Sequence, residues 1–304
     1  MQNNKQRNDA LRGLRYTLIY SVLIVGSLLM IYPFVYGAVA GVMDPIDYLK
    51  NATFFPIPRK LVTFDYYIAV LTDIRLLIFA RNTFMRIIWQ LIFLSFTSVV
   101  LGYVFSKLHF KGKNVIFGIL LGSMMIPGQA TMVPTYVMYA RWPLLGGNNI
   151  FGQGGHGMLN SWWIFTIPAM LSIYHIFLTK QMFDTLPNEI EEAARIDGAG
   201  TLTIIFRIYA RLLLPILAVM FLGIFTGCWN DYQTNLLYTD GQSWNLLMIS
   251  YGIDQIANSF KFSDIINYPA IFATATITTI PSIIVFLCVQ RSFVEGLAMS
   301  GIKG

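Results

Sequence analysis

The sequence predicts an all-α polytopic membrane protein with six transmembrane helices. Three observations carry this. Hydrophobic residues make up 56% of the 304 residues and charged residues only 12%, about half the charged share of a soluble domain. Six apolar stretches approach or exceed the ~18 residues that cross a bilayer as a helix. Lysines and arginines gather at the ends of these stretches, and their sidedness sets the orientation. A soluble all-α core has no need of six such runs.

The first stretch runs from Tyr16 to Ala40, behind Lys5, Arg7, Arg12 and Arg15. Its basic start and Ala38-Val39-Ala40 imitate a secretory signal. The run exceeds the ~7–15 residues of a signal's apolar region, so it reads as a retained helix. The second runs from Phe84 to Phe105 and the third from Val115 to Met138, with Lys107, Lys111 and Lys113 in the short turn between them. The fourth, Trp162 to Leu178, and the fifth, Leu212 to Gly227, are shorter, and Phe206 to Ile208 extends the fifth. The sixth runs from Ile271 to Val289. Lys180, Arg195, Arg207 and Arg211 lie between the fourth and fifth, and Arg291 and Lys303 follow the last.

An even number of spans places all these basic groups, and both termini, on the cytoplasmic side. The connections Gly41 to Arg81, Tyr139 to Ser161 and about Tyr232 to Tyr268 then face outward. The first of them carries Lys50, Arg59, Lys60, Arg75 and Arg81, so the bias is incomplete. The net charge of +6 comes from the flanks. No basic surface interleaved with aromatics points to nucleic acid. No linker rich in Pro, Gly and Ser divides the chain, so residues 1–304 read as a single transmembrane domain.

Enzymatic motifs are absent. No GxSxG elbow, HExxH or Walker motif is present. His109, His156 and His175 share no ligand spacing. Cys228 and Cys288 lack CxxC partners and read as small core residues. The stretch Gly146 to Gly157 is rich in glycine but lacks the Gly-Lys-Ser/Thr ending of a phosphate loop, and reads as a flexible external loop. The chain thus carries no motif for binding or hydrolysing ATP.

Polar and proline residues mark a path between helices. Pro127 and Pro134, Pro168, Pro215 and Pro281 interrupt the third to sixth spans. Membrane helices tolerate such breaks where neighbours or cavity water satisfy the freed carbonyls. Trp229, Asn230, Asp231 and Tyr232 close the fifth span, with Asp231 either a solvated boundary residue or part of an outer gate. Thr274 and Thr278 share a face of the sixth, suited to close packing or to pore lining.

The segment about 180–211 is the most distinctive. Thr185 to Asn188, with Pro187 near the first turn, can start a helix. Glu189, Glu191 and Glu192 load its N-terminal part, which suits the helix dipole. Gly198 permits the left-handed geometry that stops a helix, and a second helical stretch begins near Thr201. Two short helices at an angle make a rigid knob, whose acidic residues suit arginines on a soluble partner.

The run Glu191-Glu192-Ala193-Ala194-Arg195-Ile196-Asp197-Gly198-Ala199 resembles the EAA loop of permease subunits in binding-protein-dependent ABC importers. Other segments are similar in the same order: Arg81-Asn82-Thr83, Leu108 to Lys113, Met125-Ile126-Pro127 with Gln129 and Val133-Pro134, and Trp229 to Tyr232. The tail, about residues 290–304, resembles that of the second permease subunit of maltose-type carbohydrate importers. One departure stands out. The family loop commonly ends in a leucine-proline, whereas Arg211 occupies that place and proline returns only at Pro215. A straighter start to the fifth span is therefore expected.

The resemblance implies an ABC importer permease fold and a part in the translocation path for a sugar or oligosaccharide. It implies coupling to the ATPase through Glu191, Glu192, Ala193, Ala194, Asp197, Gly198 and Ala199. It implies that Ser300, Gly301, Ile302, Lys303 and Gly304 reach between two ATPase subunits, the alternative being a frayed end. The implied partners are a homologous second permease, two copies of an ABC ATPase and an extracytoplasmic solute-binding protein. ATP and Mg are expected on the ATPase copies, and no cofactor on this chain. A non-sugar cargo (peptide, amino acid or polyamine) and a membrane signalling or assembly component are the other readings of the residues.

Overall fold

The computed structural model describes residues 2–51, 53–59, 62–260 and 266–301, with side-chain surroundings from residue 12 to residue 290 of these. Among the described residues there are helices and no strands. Four helices are long and apolar enough to cross a membrane, and two bent helix pairs raise the total to six if each pair is one span. By contact, the chain divides into two compact units, residues 1–73 with 254–279, and residues 74–253 with 280–304.

In the first unit, α1 (Gln2–Ala40) is one continuous helix, α2 (Pro45–Asn51) and α3 (Asp65–Thr72) are short, and α14 (Tyr268–Gly301) begins there. Pro45 opens α2, where its missing N–H costs nothing. The Asp44 carboxylate accepts from the N–H groups of Ile46 and Asp47 at 3.0 Å each. Gly41 is required by close approach. A Cβ there would stand 2.6 Å from the Tyr67 hydroxyl, which itself donates to the Ala38 carbonyl at 2.9 Å. Tyr36 meets Phe272 of α14 edge-on. Thr274 is buried, and Thr274 and Thr278 both turn their hydroxyls back to carbonyls of their own helix.

The second unit is organised on α4 (Ile74–Lys107). Its buried residues, including Phe79, Thr83, Arg86, Gln90, Leu94, Ser98, Gly102 and Phe105, recur every three or four positions, as one face of a helix requires. That face receives α8 (Ile173–Thr185) and α11 (Leu214–Asn230). The α4–α8 crossing is close because Gly102 has no side chain. A Cβ there would meet Thr179 Oγ1 at 2.3 Å, and that hydroxyl donates to the Ser98 carbonyl at 2.7 Å. At the other end of α4, Asn82 donates to the carbonyls of Trp244 and Leu247 at 2.8 and 2.9 Å. Thr83 accepts from the Ile249 N–H at 2.8 Å, which fixes the start of α13 (Ile249–Ser259).

The third span is broken. α5 (Lys113–Ser123) and α6 (Gly128–Ala140) meet at 99°. Bonds of the i→i−3 type at Met124, Met125 and Ile126 tighten the chain before Pro127, which has extended backbone and no N–H to continue the helix. The fourth span runs Trp163–Thr185 through α7 (Trp163–Thr166), a single turn at Pro168–Met170, and α8.

The fifth span corrects an expectation. Its two parts, α10 (Thr201–Leu212) and α11, are bent by 82° rather than straight. Pro215 lies in the first turn of α11 and cannot donate to the Arg211 carbonyl, so the bend falls at Leu213. Within α10, Ile204–Tyr209 widens into a π turn. Ile204 and Tyr209, five positions apart, are thereby both fully buried.

The glycine-rich loop, expected to be flexible, is folded tightly on itself. Asn148 is buried and donates to the carbonyls of Ala140 and Trp142 while accepting from the Gly155 N–H. At Gly146, φ is +55° and a Cβ would lie 2.2 Å from the Gly157 carbonyl. Glycine is there for close approach, not for mobility.

Candidate coupling interface

The distinctive segment of the sequence forms a compact projection. α8 ends at Thr185, Leu186 has extended backbone, and Pro187 lies outside either helix. The next helix, α9 (Glu189–Ile196), starts after Asn188, whose carbonyl accepts from the N–H groups of Glu191 and Glu192. Glu189, Glu191 and Glu192 occupy the first turn and Arg195 the last, each at the end the helix dipole favours. Gly198 follows with φ +80°, and the Ala199 N–H reaches back to the Ala194 carbonyl at 2.9 Å.

One face of α9 is seated on the second unit. Ala194 is buried in a cluster with Val99, Tyr103, Phe183, Ile204, Ile205, Tyr209 and Leu213, and Ile190 and Ala199 pack against it. The opposite face, with Glu192, Ala193, Ile196 and Asp197, is exposed. The two adjacent glutamates therefore differ. Glu192 points to solvent, whereas Glu191 turns inward, its side chain 13% exposed. Tyr103 donates its hydroxyl to Glu191 Oε1 at 2.6 Å, and Arg195 donates to the same oxygen at 2.7 Å and to Tyr103 Oη at 3.3 Å. Burial opposes ionisation of Glu191, but the Tyr103 hydroxyl and Arg195 outweigh it and hold the carboxyl below its usual range.

A second set of bonds fixes the base of the projection. Lys107 Nζ donates to the Leu186 carbonyl at 2.7 Å and to Asn188 Oδ1 at 2.8 Å. Ser106 donates to Asp184 at 2.6 Å, and Lys180 pairs with Asp184 at 2.6 Å. Beside α9 lies a polar groove of about 390 Å³ lined by residues that include Lys107, His109, Asn188, Glu192 and Arg195.

Sequence reasoning missed Ile196, which is 86% exposed at the tip. Its spacing one turn after Glu192 was the available signal. It also missed Tyr103 and Lys107, which lie far from the loop in sequence. Ser300 and Gly301 end α14, while Ile302, Lys303 and Gly304 lie outside the described residues.

The expected path residues fall in different units. Trp229 is buried and stacks on Phe225 with centroids 5.4 Å apart. Asn230 is exposed, and Tyr232 leans on Tyr251. Asp231 accepts from Arg86 at 2.6 Å and from the Thr234 hydroxyl at 2.5 Å. Thr274 and Thr278 belong to the other unit.

Comparison with known proteins gives a consistent picture. Residues 98–298 match the profile of the family described as binding-protein-dependent transport system inner membrane component. The chain is 26% identical to Protein LplC of Bacillus subtilis, over 94% of this chain and 94% of that protein. It is 25% identical to the arabinooligosaccharides transport system permease protein AraQ of Halalkalibacterium halodurans, over 91% and 93%. It is 29% identical to the sn-glycerol-3-phosphate transport system permease protein UgpE of Pectobacterium atrosepticum, over 92% and 94%. In structure it is similar to a chain of a bacterial ABC transporter involved in import of the acidic polysaccharide alginate. The TM-score is 0.74 at 22% identity, over 91% of this chain and 96% of that one.

Proposed function

We infer a role from one premise: the chain belongs to the family of binding-protein-dependent transport system inner membrane components. It is a permease subunit of an ABC importer, seated in the inner membrane, and not an enzyme in its own right. Its cargo is a sugar or oligosaccharide, a reading supported by similarity to arabinooligosaccharide and other transport permeases such as AraQ. Its termini lie in the cytoplasm, in keeping with the basic flanks of the spans.

The observation that carries the mechanism is the projection around α9. A helix with one face buried on the membrane unit and the other exposed is built to pass a push inward. Two copies of an ABC ATPase bind ATP and Mg, and their closure moves α9 as a rigid body. Glu192, Ala193, Asp197 and the protruding Ile196 make the contact, with Gly198 and Ala199 shaping the turn behind them. Ala194 and Glu191 anchor the helix from beneath. A homologous second permease completes the path, and an extracytoplasmic solute-binding protein delivers the cargo. The tail from Ser300 to Gly304 touches the ATPase pair.

The test is Glu192→Lys in the assembled importer. Charge reversal on the exposed face should reduce co-purification of the ATPase and uptake into vesicles while leaving the permease inserted. Wild-type co-purification and uptake would refute the coupling role.

A further inference from the structure

The second unit carries a polar groove at the outer end of the fifth span. Its volume is about 280 Å³, and its lining includes Gln129, Thr131, Thr135, Asp231, Gln233 and Thr234. One wall is the first two turns of α6, directly after the 99° break in the third span. The other is α12 (Gln233–Tyr238) and the residue that leads into it. Polar side chains in this number do not face hydrocarbon, where each unsatisfied group costs several kcal/mol. The groove faces water or a partner subunit, and broken spans in transporters commonly border the cargo site.

Its chemistry is specific. Asp231 is the only ionisable carboxylate in the lining, and its charge is balanced from behind. Arg86 is buried at 8% exposure, donates to Asp231 Oδ2 at 2.6 Å, and lies over the Phe165 ring at 5.2 Å. Thr234 gives its hydroxyl to Oδ2 and its N–H to Oδ1 at 3.0 Å. A carboxylate accepts about four hydrogen bonds, so Asp231 retains acceptor capacity toward the groove. The side chains of Gln129 and Thr135 have no hydrogen-bond partner among the described residues. Tyr238 also lines the groove, and its ring stacks on Tyr136 and meets Tyr139 at a steep angle. Donors and acceptors thus line both walls, with an aromatic ring on one of them and no net charge.

We propose that this groove is a subsite for one neutral sugar ring at the outer mouth. Asp231 accepts from ring hydroxyls, the amides of Gln129 and Gln233 bond the hydroxyl edge, and Tyr238 covers the apolar C–H face. The volume, near the lower end of the roughly 300–1,000 Å³ typical of ligand pockets, suits one ring and not an oligosaccharide. Arg86 alone would suggest an anionic cargo. Because it is held behind Asp231, a uronate meets the carboxylate first and is disfavoured. This proposal rests on the permease reading above.

The experiment uses the full importer complex in nanodiscs without its binding protein. Saturation-transfer NMR is recorded with four neutral trisaccharides (gluco-, galacto-, xylo- and arabino-) and with trigalacturonate. At least one neutral probe should receive saturation, and trigalacturonate should bind about tenfold more weakly, through like-charge contact with Asp231. Gln129→Ala and Gln233→Ala, both exposed and safe for folding, should each weaken the neutral probe about fivefold, as for one lost hydrogen bond. Asp231→Asn, if it folds, should shift the preference toward trigalacturonate. Silence from every neutral probe, stronger binding of trigalacturonate to the unaltered complex, or no effect of either glutamine substitution would overturn the subsite. ATPase co-purification and hydrolysis are measured on the same samples. A complex that assembles and hydrolyses ATP but binds no sugar sinks the subsite alone, and one that never assembles with an ATPase sinks the permease reading beneath it.

Discussion

Tyr103→Phe isolates the bond that seats α9. The substitution removes one hydroxyl and keeps the ring, so the packing against Phe183 and Tyr209 survives. What is lost is the 2.6 Å donation to Glu191 and the weaker acceptance from Arg195. A hydrogen bond to a charged group is worth about 1.5–3 kcal/mol, so local opening of α9 should become roughly 10- to 150-fold more frequent. Hydrogen exchange of peptides covering Glu189–Ile196, read by mass spectrometry on the complex in nanodiscs, reports that opening. The pH dependence gives a second check. Glu191 has its carboxyl held below the usual value, so its anchoring is complete above the ordinary glutamate range and is lost as pH falls through the lower, folded value. Protection of α9 should hold from neutral pH down to about 4.3 and fall below it, with an earlier fall in Tyr103→Phe. Unchanged exchange in the variant at neutral pH would refute the idea that this network holds the helix.

Four further outcomes are expected. Gly198→Ala meets no neighbour and strains only the backbone, about 1–2 kcal/mol at φ +80°, so uptake should fall modestly; Gly198→Pro, which cannot adopt that angle, should abolish ATPase co-purification. A cysteine at Gly154, whose Cβ position is open to 3.7 Å, should be labelled from outside by an impermeant thiol reagent, and one at Lys111 or Gly198 only after the membrane is opened; Gly146→Ala, by contrast, should lower the melting temperature. Arg86→Met removes the counter-ion of Asp231, which keeps its two bonds from Thr234, and should lower the melting temperature, with much of the loss recovered in Arg86→Met/Asp231→Asn. Deleting Ser300 to Gly304 should preserve assembly but lower transport per ATP hydrolysed in reconstituted vesicles, and an unchanged ratio would make the tail a frayed end.

What could be read from the sequence was what is decided locally. The acidic start of α9 and the glycine that ends it follow from the helix dipole and from one backbone angle. Which of Glu191 and Glu192 faces inward was not legible, because it depends on Tyr103, 88 positions away. The bend in the fifth span was misread for an instructive reason. Moving the proline from the position of Arg211 to Pro215 shifts it by about one helical turn, so it stays on the same face. It also frees the Arg211 carbonyl, and the bend remains. The glycine loop was misread because composition does not distinguish glycines that permit motion from glycines that permit contact. Only the partners of Asn148 make that distinction.

The helix α4 carries both Tyr103, which grips α9, and Arg86, which grips Asp231 at the far end of the fifth span. At 1.5 Å per residue these grips lie about 25 Å apart along one rod. A rod held at both ends works as a lever in either direction. Thermodynamic reciprocity then requires that any ligand at the Asp231 end whose affinity depends on the tilt of α4 alters, by the same factor, the affinity of whatever binds at the α9 end. On the coupling role proposed for α9, one part both reports the presence of cargo to the ATPase and carries the ATPase's motion to the cargo.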